Sequence, residues 1–409
     1  MKDLTAISLF TGAGGLDFGF EVAGFRTAVA LEIDPRCCET LRQNRNWPII
    51  HRDIAAVTTE ELLAIAGLAA GEVDVLIGGP PCQPFSKSGF WATGGAKRLS
   101  DPRATTLEGY MRVLAEARPR AFLLENVEGL GFRGKDEGLQ LIQARLAAIN
   151  AAHGVSYEAS IATLNAADYG VPQQRKRVFV IGARDGATFR FPEATHQPTC
   201  PDKAPDDATH RTAWDALHDL PTPIDPEVRL KGKWAELLPS IPDGMNYLWH
   251  TERGGGEPLF GWRRRYWSFL LKLAADQPSW TIQAQPGPAT GPFHWDNRRL
   301  TAREMARLQT FPDSVQITGN LAEAQRQLGN AVPSLLAETL AREISLQLLG
   351  RSVAGSLRLA IDRAGSPPRK APKPARVPAK FLGLRGKHDA HPGTGLGARA
   401  LGRKVIAAL

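Results

Sequence analysis

The feature that most constrains the fold is an alternation of short apolar segments with helical segments over the first 180 residues or so. The apolar segments are seven or eight residues long, and several end in glycine or a carboxylate. Strands that alternate with helices form a mostly parallel sheet with helices on both faces. The sequence therefore predicts an α/β fold with a doubly wound sheet. The predicted strands are residues 4–10, 27–33, 73–79, 120–127, 157–164 and 177–184, and the clearest helices cover 107–119 and 139–151.

The composition excludes several classes of protein. No apolar run approaches the ~18 residues of a membrane-spanning helix, and the N-terminal stretch has no signal-peptide pattern. The four cysteines include no Cys-x-x-Cys pair, so we expect neither a disulfide framework nor a metal site. This cysteine usage favours a reducing cytoplasm.

The second half of the chain has a different character. Prolines cluster from residue 192 onwards, and seven of the nine tryptophans fall between residues 214 and 295. Helical patterns return at residues 301–309 and 334–350, and we expect this block to pack back onto the first sheet. The predicted divisions are residues 1–188, 189–295, 296–350 and 351–409.

Charge is distributed unevenly along the chain. The formal net charge is +8, yet residues 351–409 alone hold 13 basic and 2 acidic residues. Because this segment is rich in proline and glycine, it predicts a disordered basic tail, either a simple appendage or a segment attracted to phosphates. Residues 191–228 carry a net −6, and residues 229–307 a net +5. The local basic block is a better candidate for a nucleic-acid face than the total charge.

The sequence SLFTGAGGLDFGF, residues 8–20, places a glycine turn between a strand and a helix. Such a turn brings backbone amides close to a ligand. Glu32 lies 20 residues after Gly12, at the end of the next strand, where a carboxylate accepts bonds from ribose hydroxyls. Asp53, in HRDI, follows a further predicted strand, which is third along the chain and additional to the six given above, and its carboxylate suits an exocyclic amine. Together they predict a nucleotide-type cofactor pocket.

Three further motifs place reactive side chains at strand ends. Cys82 lies in GGPPCQPFSKSG, a loop that follows the most apolar strand and suits a nucleophile. Glu125 ends the next predicted strand; a neutral glutamic acid donates a proton, although a solvated acid is the ordinary alternative. Arg175 and Arg177 alternate at the start of a strand, so both side chains are expected on one face, although an exposed basic strand end fits the same pattern.

Two more blocks, NRRLTAREMARLQTFPD (297–313) and RQLGNAVPSLLAE (326–338), follow in the C-terminal part. In this order, the six blocks resemble the C5-cytosine DNA methyltransferase family over residues 4–350, except most of 190–278. The resemblance implies a methyltransferase variant of the doubly wound sheet, a separate target-recognition domain, and S-adenosylmethionine as methyl donor. The cofactor-binding residues it implies are Phe10, Gly12, Gly14, Leu16, Glu32, Asp53, Ile54, Pro80, Asn330 and Val332.

The resemblance also implies a mechanism. The thiolate of Cys82 adds to C6 of cytosine, and C5 then accepts the methyl group. Glu125 hydrogen-bonds N3 and the exocyclic amine, while Arg177, with Arg175 behind it, holds O2. Asn126 fixes the loop that carries the cysteine.

The target base must leave the duplex to reach such a site. The resemblance implies that residues 85–103 close over the DNA, and that the region before the fifth block recognises the sequence. The predicted DNA-contacting residues are Ser86, Lys87, Ser88, Arg98, Arg263, Arg264 and Arg265. Trp280 and Trp295 are expected in the core.

Together these implications predict that the chain is a monomeric DNA (cytosine-5-)-methyltransferase in a prokaryotic cytoplasm. It acts on double-stranded DNA, in a restriction–modification system with a cognate endonuclease or as a solitary enzyme. RNA is the alternative substrate within the family, since one branch with these motifs modifies tRNA. A catalytically silent DNA-binding relative is a third reading, which the intact reactive residues disfavour.

Overall fold

The computed structural model describes residues 3–81, 104–128, 137–199, 206–223, 225–262 and 266–386. A seven-stranded sheet is built from residues 4–183. Its strands, in spatial order, are β3 (Ile49–His51), β2 (Phe25–Glu32), β1 (Leu4–Leu9), β4 (Val75–Gly78), β5 (Ala121–Val127), β8 (Lys176–Ala183) and β6 (Glu158–Asn165). The first five are parallel, and β8 runs antiparallel to both of its neighbours. The prediction of a mostly parallel α/β sheet is confirmed.

Helices cover both faces of this sheet. Successive side chains of β4 point to opposite faces of the sheet, and each face carries its own apolar cluster. Leu76 belongs to one cluster, while Val75 and Ile77 belong to the other. Asp34 accepts a hydrogen bond from the amide of Arg36 (2.9 Å) ahead of Pro35, which starts the second helix. The helices of this part are α1 (Gly15–Val22), α2 (Pro35–Asn44), α3 (Thr59–Ala66), α4 (Ala104–Ala117) and α5 (Glu137–His153).

Most of the described residues between 184 and 300 have irregular backbone. This part contains α6 (Ala213–Leu217) and the strand β9 (Ser279–Trp280), which pairs in parallel with β7 (Gln173–Gln174). Three helices follow: α7 (Ala302–Leu308), α8 (Leu321–Asn330) and α9 (Ser334–Gln347). None of the helices in the described ranges is long and apolar enough to cross a membrane.

Helix α9 packs directly against α1, as expected for a block that returns to the first sheet. A Cβ atom built on Gly19 would lie 2.5 Å from the Cβ of Ala337 and from the amide nitrogen of Glu338. Only a glycine allows the two helices to approach so closely. This contact places the sixth motif beside the first.

Residues 351–386, here called the C-terminal strap, do not form the disordered tail that their composition predicted. The amides of Arg358 and Leu359 donate to Glu338 of α9 at 2.8 and 2.9 Å. The guanidinium of Arg369 pairs with Asp243 at 2.9 Å. Phe381, in the short helix α10 (Ala379–Leu382), is 3% exposed.

The reason for this difference is that a few strap residues find long-range partners. The ring of Phe381 stacks on Trp234, with centroids 5.8 Å apart and an interplanar angle of 16°. Arg363 pairs with Asp215, which lies in the acidic segment noted above. Composition alone does not reveal such complementarity. Residues 387–409 lie outside the described part of the chain.

Candidate active site

The glycine turn after β1 adopts backbone conformations that favour glycine. Gly12 has a φ of 58° and Gly14 a φ of 88°, and Phe10 is also left-handed at 55°. Gly14 is the residue that precedes α1, and Leu16 in the first turn is buried. A Cβ on Gly12 would meet nothing within 4 Å, so the turn borders open space.

Glu32 lies at the end of β2 and closes one side of this turn. It is 8% exposed, and its carboxylate accepts hydrogen bonds from the amides of Gly12 (2.7 Å), Ile33 (2.9 Å) and Asp34 (2.7 Å). Burial raises its pKa, and the amide hydrogen bonds oppose that effect. The result is a fixed acceptor beside open space, which fits the ribose of an adenosyl cofactor.

Asp53 and Ile54 follow β3, next to β2 in the sheet. Asp53 is exposed, and its side chain accepts from the amide of Ala55 at 2.9 Å. Ile54 is 4% exposed, and a Cβ on Gly109 of α4 would lie 2.8 Å from it. An exposed carboxylate beside an apolar side chain suits a heterocycle with an exocyclic amine.

The sixth motif reaches the turn from the opposite side. A Cβ on Gly15 would lie 2.3 Å from the carbonyl oxygen of Val332, so Val332 contacts the start of α1 through its backbone. Asn330, the last residue of α8, is exposed. The sequence signal for this close packing is the spacing of Gly15 and Gly19, four residues apart and so on one face of the same helix.

The ends of β4 and β5 lie side by side. The side chain of Asn126 donates to the carbonyl of Pro80 at 3.2 Å. A Cβ on Gly79 would lie 2.9 Å from Oε2 of Glu125, so Gly79 is a site residue that sequence reasoning missed. The expected role of Asn126 in fixing the proline loop fits this contact. Cys82 lies outside the described residues, as do Ser86, Lys87, Ser88 and Arg98.

Glu125 and Arg177 form a buried ion pair. Nε of Arg177 lies 2.9 Å from Oε1 of Glu125, and the side chains are 14% and 10% exposed. Arg177 is opposite Val127 across the antiparallel ladder, so it shares a face with Glu125, two residues earlier. Burial raises the pKa of Glu125, while the positive charges of Arg177 and Arg175 lower it. The arrangement therefore holds a carboxyl group that exchanges a proton more readily near neutral pH than a solvated one.

Arg175 is fully buried and has other partners. Its guanidinium donates to the carbonyl of Gly329 (2.8 Å) and, more weakly, to that of Ile282 (3.4 Å). Burial, together with Arg177, lowers its pKa, and Glu125 opposes this. Arg175 thus joins three parts of the chain: the start of β8, the segment after β9 and the end of α8.

The tryptophans of the recognition region divide into two groups. Trp295 is 5% exposed, which confirms its expected place in the core, but Trp280 is 37% exposed. The prediction for Trp280 was wrong because the alternation of side chains along its two-residue strand buries Ser279 and turns Trp280 to the exposed face. The side chain of Trp262 is also exposed, with Arg253 4.3 Å above its ring. Arg263, Arg264 and Arg265 lie outside the described residues.

Comparisons with known proteins identify the family of this chain. Residues 4–346 match the family model of the C-5 cytosine-specific DNA methylases. The type II methyltransferase M.SacI of Streptomyces achromogenes is 42% identical over 372 residues, which cover 85% of this chain and 94% of that protein. M1.HphI of Haemophilus parahaemolyticus, another type II methyltransferase, is 32% identical over 83% of this chain and 86% of its own length.

Solved structures show the same fold. A DNA modification methyltransferase encoded within an E. coli prophage has a TM-score of 0.60 at 24% identity, and covers 85% of this chain and all of that one. The Dnmt2 methyltransferase of S. pombe has a TM-score of 0.54 at 16% identity, over 84% of this chain and 99% of its own. The chain belongs to the C-5 cytosine-specific DNA methylase family and is an S-adenosylmethionine-dependent DNA cytosine-5 methyltransferase.

Proposed function

We propose that this enzyme methylates C5 of a cytosine flipped out of a specific duplex sequence, through a covalent adduct on Cys82, as the modification enzyme of a type II restriction–modification system. The observation that carries the catalytic part is the buried Glu125–Arg177 ion pair, 2.9 Å long, at the carboxyl edge of the sheet. The proposed role in a type II restriction–modification system is supported by relatives named as type II methyltransferases, which align over most of the chain.

The cofactor pocket proposed here is the open space beside the glycine turn. Glu32 would accept hydrogen bonds from the ribose, and Asp53 with Ile54 would contact the adenine. The remaining residues would line the pocket around the amino-acid end and its rim; they are Phe10, Gly12, Gly14, Leu16, Pro80, Asn330 and Val332. When bound, S-adenosylmethionine supplies a methyl group on a positively charged sulfur, which C5 of the activated base accepts.

Glu125 would recognise and activate the base. In its protonated form, one carboxyl oxygen donates to N3 of cytosine and the other accepts from the exocyclic amine. Its raised pKa, caused by burial, keeps a larger protonated fraction near neutral pH. As electron density moves onto N3, the proton passes from Glu125 to that nitrogen.

Arg177 would hold Glu125 through Nε and donate to O2 of the base through another of its five N–H groups, while Nη1 donates to the carbonyl of Lys176 at 2.8 Å. Arg175 would position Arg177 without contacting the base, since its guanidinium donates to Gly329 and Ile282. Asn126 would hold the loop that begins at Pro80.

Cys82 would supply the nucleophile, two residues after Pro80 in the sequence. Its thiolate forms a bond to C6, and the C5–C6 π electrons move toward C4 and N3 as N3 takes the proton. After C5 has gained the methyl group, a base removes the C5 proton. The C5–C6 double bond then re-forms, the thiolate leaves, and the N3 proton returns to Glu125.

Duplex DNA would lie between the catalytic part and the recognition region, with the enzyme acting as a monomer in a prokaryotic cytoplasm. Ser86, Lys87, Ser88 and Arg98 would contact the DNA around the vacated position, and Arg263, Arg264 and Arg265 would contact phosphates or bases. The boundaries proposed for the recognition domain are residues 189 and 295. A cognate endonuclease would cleave the same site.

The test compares wild type and Cys82→Ala with tritiated S-adenosylmethionine and either duplex DNA or tRNA. Label is expected in DNA with wild type only. Label confined to tRNA would contradict the DNA assignment, and label from Cys82→Ala would contradict the covalent mechanism. Bisulfite sequencing of a plasmid from an expressing host then identifies the methylated sequence, and protection of that plasmid from an endonuclease of the same specificity tests the restriction–modification role.

A further inference from the structure

Two exposed indole rings lie together beside the active site. Trp267 is 41% exposed and Trp280 is 37% exposed. Their centroids are 5.4 Å apart in an edge-to-face arrangement of 71°. Exposed tryptophans in contact with each other form an apolar patch, which in a soluble domain commonly marks a binding surface. We call this pair the indole patch.

The backbone on which the indole patch sits leads directly into the catalytic residues. Trp280 is opposite Gln174 in the β7–β9 ladder, and Gln174 immediately precedes Arg175 in the sequence. The hydroxyl of Thr281 donates to the carbonyl of Gln174 at 2.6 Å. The carbonyl of Ile282, two residues after Trp280, accepts from the guanidinium of Arg175.

Trp267 is also held in place by its backbone. The side chain of Asn246, which is 3% exposed, donates to the carbonyl of Trp267 at 2.8 Å. The next residue, Ser268, accepts a hydrogen bond from the side-chain amide of Gln283 at 2.7 Å. The two rings are therefore attached to anchored backbone rather than to free loops, and this reduces the entropy lost when a ligand is bound.

We infer that the indole patch is a stacking surface for a nucleobase of the substrate DNA, next to the cytosine that enters the site. The inference rests on the proposed function, because it requires a duplex from which one base has been extruded. Extrusion uncovers the aromatic faces of the neighbouring bases, and indole rings stack on any base regardless of its hydrogen-bonding edge. The patch thus stabilises the flipped complex without contributing to recognition of the sequence.

The location argues for DNA over other occupants. Trp280 pairs with Gln174 in the β7–β9 ladder, and the exposed Lys176 follows Gln174 by two residues, so a positive charge lies close to the patch along the chain. A nucleic-acid surface combines aromatic rings with basic residues in this way. A second copy of the chain is the competing occupant and becomes an outcome of the test.

The experiment uses the full-length chain and a duplex that contains the site found by bisulfite sequencing. Variants are Trp267→Ala, Trp280→Ala, their combination, Trp280→Phe and Trp280→Leu. Leu346→Ala is the control, since Leu346 is an exposed apolar residue of α9 (52%) outside this region. The readouts are Kd for the duplex, KM for DNA, Kd for S-adenosylmethionine, the fluorescence of 2-aminopurine at the target position, and the sedimentation coefficient.

We expect each alanine variant to weaken duplex binding about tenfold, given the stacking contribution of an aromatic ring. The fluorescence increase that reports base extrusion should fall in parallel, while cofactor binding stays within twofold. Phenylalanine should restore binding and leucine should not, because stacking needs a planar ring.

Several results would overturn the inference. The inference is wrong if the combined variant binds the duplex and extrudes the base as well as wild type does. It is also wrong if Trp280→Leu restores binding as well as Trp280→Phe does. A loss of cofactor binding together with DNA binding would assign the rings to structure. A change of oligomeric state with unchanged DNA binding would assign the patch to contacts between chains. Failure of wild type itself to methylate the duplex would instead refute the proposed function.

Discussion

Replacement of Glu125 by glutamine separates recognition of the base from its activation. Glutamine has nearly the same shape, and its amide donates to N3 and accepts from the exocyclic amine as a protonated carboxyl does. It has no proton to transfer. We therefore expect Glu125→Gln to bind flipped DNA almost normally and to methylate it slowly.

The magnitude follows from the role of the group. Loss of general acid catalysis lowers a rate about 10²- to 10⁴-fold, which corresponds to about 3–5 kcal/mol of barrier. The variant should also lose stability, since Arg177 is only 14% exposed and loses its charged partner. Breaking a buried pair costs about 3–5 kcal/mol, and the amide oxygen of glutamine still accepts from Arg177, so we expect the lower end of that range.

The assay is single-turnover methyl transfer at saturating cofactor and DNA, with thermal unfolding measured in parallel. Glu158→Gln is the control, because Glu158 is an exposed residue at the start of β6 in the same sheet. The pH profile adds a signature. Glu125 donates only while protonated, so the wild-type rate should fall as pH rises through its raised pKa, and this alkaline limb should be absent in the variant. A variant that keeps more than about a tenth of the wild-type rate would refute the acid role.

Three further predictions concern stability. Gly19→Ala should destabilise the fold by about 1–3 kcal/mol or more, because its Cβ would lie 2.5 Å from atoms of α9, whereas Gly383→Ala, which meets nothing within 4 Å, should have little effect on the urea midpoint. Burial raises the pKa of Asp17 to about 7; the folded state therefore keeps a proton that the unfolded chain loses, so stability should fall as pH rises from 4 to 7. Asp17→Asn should remove about 2–3 kcal/mol of the decrease between pH 5 and 8 measured by urea unfolding, and an unchanged slope would contradict it. Phe381→Ala should cost up to about 3–5 kcal/mol and expose the C-terminal strap to trypsin. Ser366→Ala, at an exposed position on the same segment, removes no tryptic site and should leave both the melting temperature and the digestion pattern unchanged.

Local sequence patterns were sufficient to predict the sheet and the glycine turn that leads into α1. The strands that end at Glu32 and Gly78 are apolar runs that finish in a carboxylate and a glycine, and the apolar strand that ends at Leu9 is followed by the glycine turn at Gly12. In a parallel sheet the carboxyl ends of the strands share one edge, so the sequence alone predicts that Glu32 and Glu125 lie there.

Contacts between residues far apart in the chain could not be predicted from the sequence. The guanidinium of Arg175 donates through its two terminal nitrogens to carbonyls more than 100 residues away. The C-terminal strap is ordered by Asp215, Trp234 and Asp243, which come from separate parts of the chain. Trp280 is exposed because Ser279, its neighbour in β9, takes the buried face of that strand and leaves Trp280 on the other. In each case the outcome depends on which segments meet, which composition and periodicity do not encode.

The central claim, a covalent adduct at the sheet edge, is tested most directly with a duplex that carries 5-fluorocytosine at the methylated position. Fluorine at C5 cannot leave as a cation, so the adduct cannot resolve after methyl transfer. We predict a stable complex whose mass is that of the protein, the oligonucleotide and one methyl group, absent from Cys82→Ala and strongly reduced in Glu125→Gln. A trapped complex with Cys82→Ala, or full methylation of ordinary duplex with no trapped complex in wild type, would contradict the account.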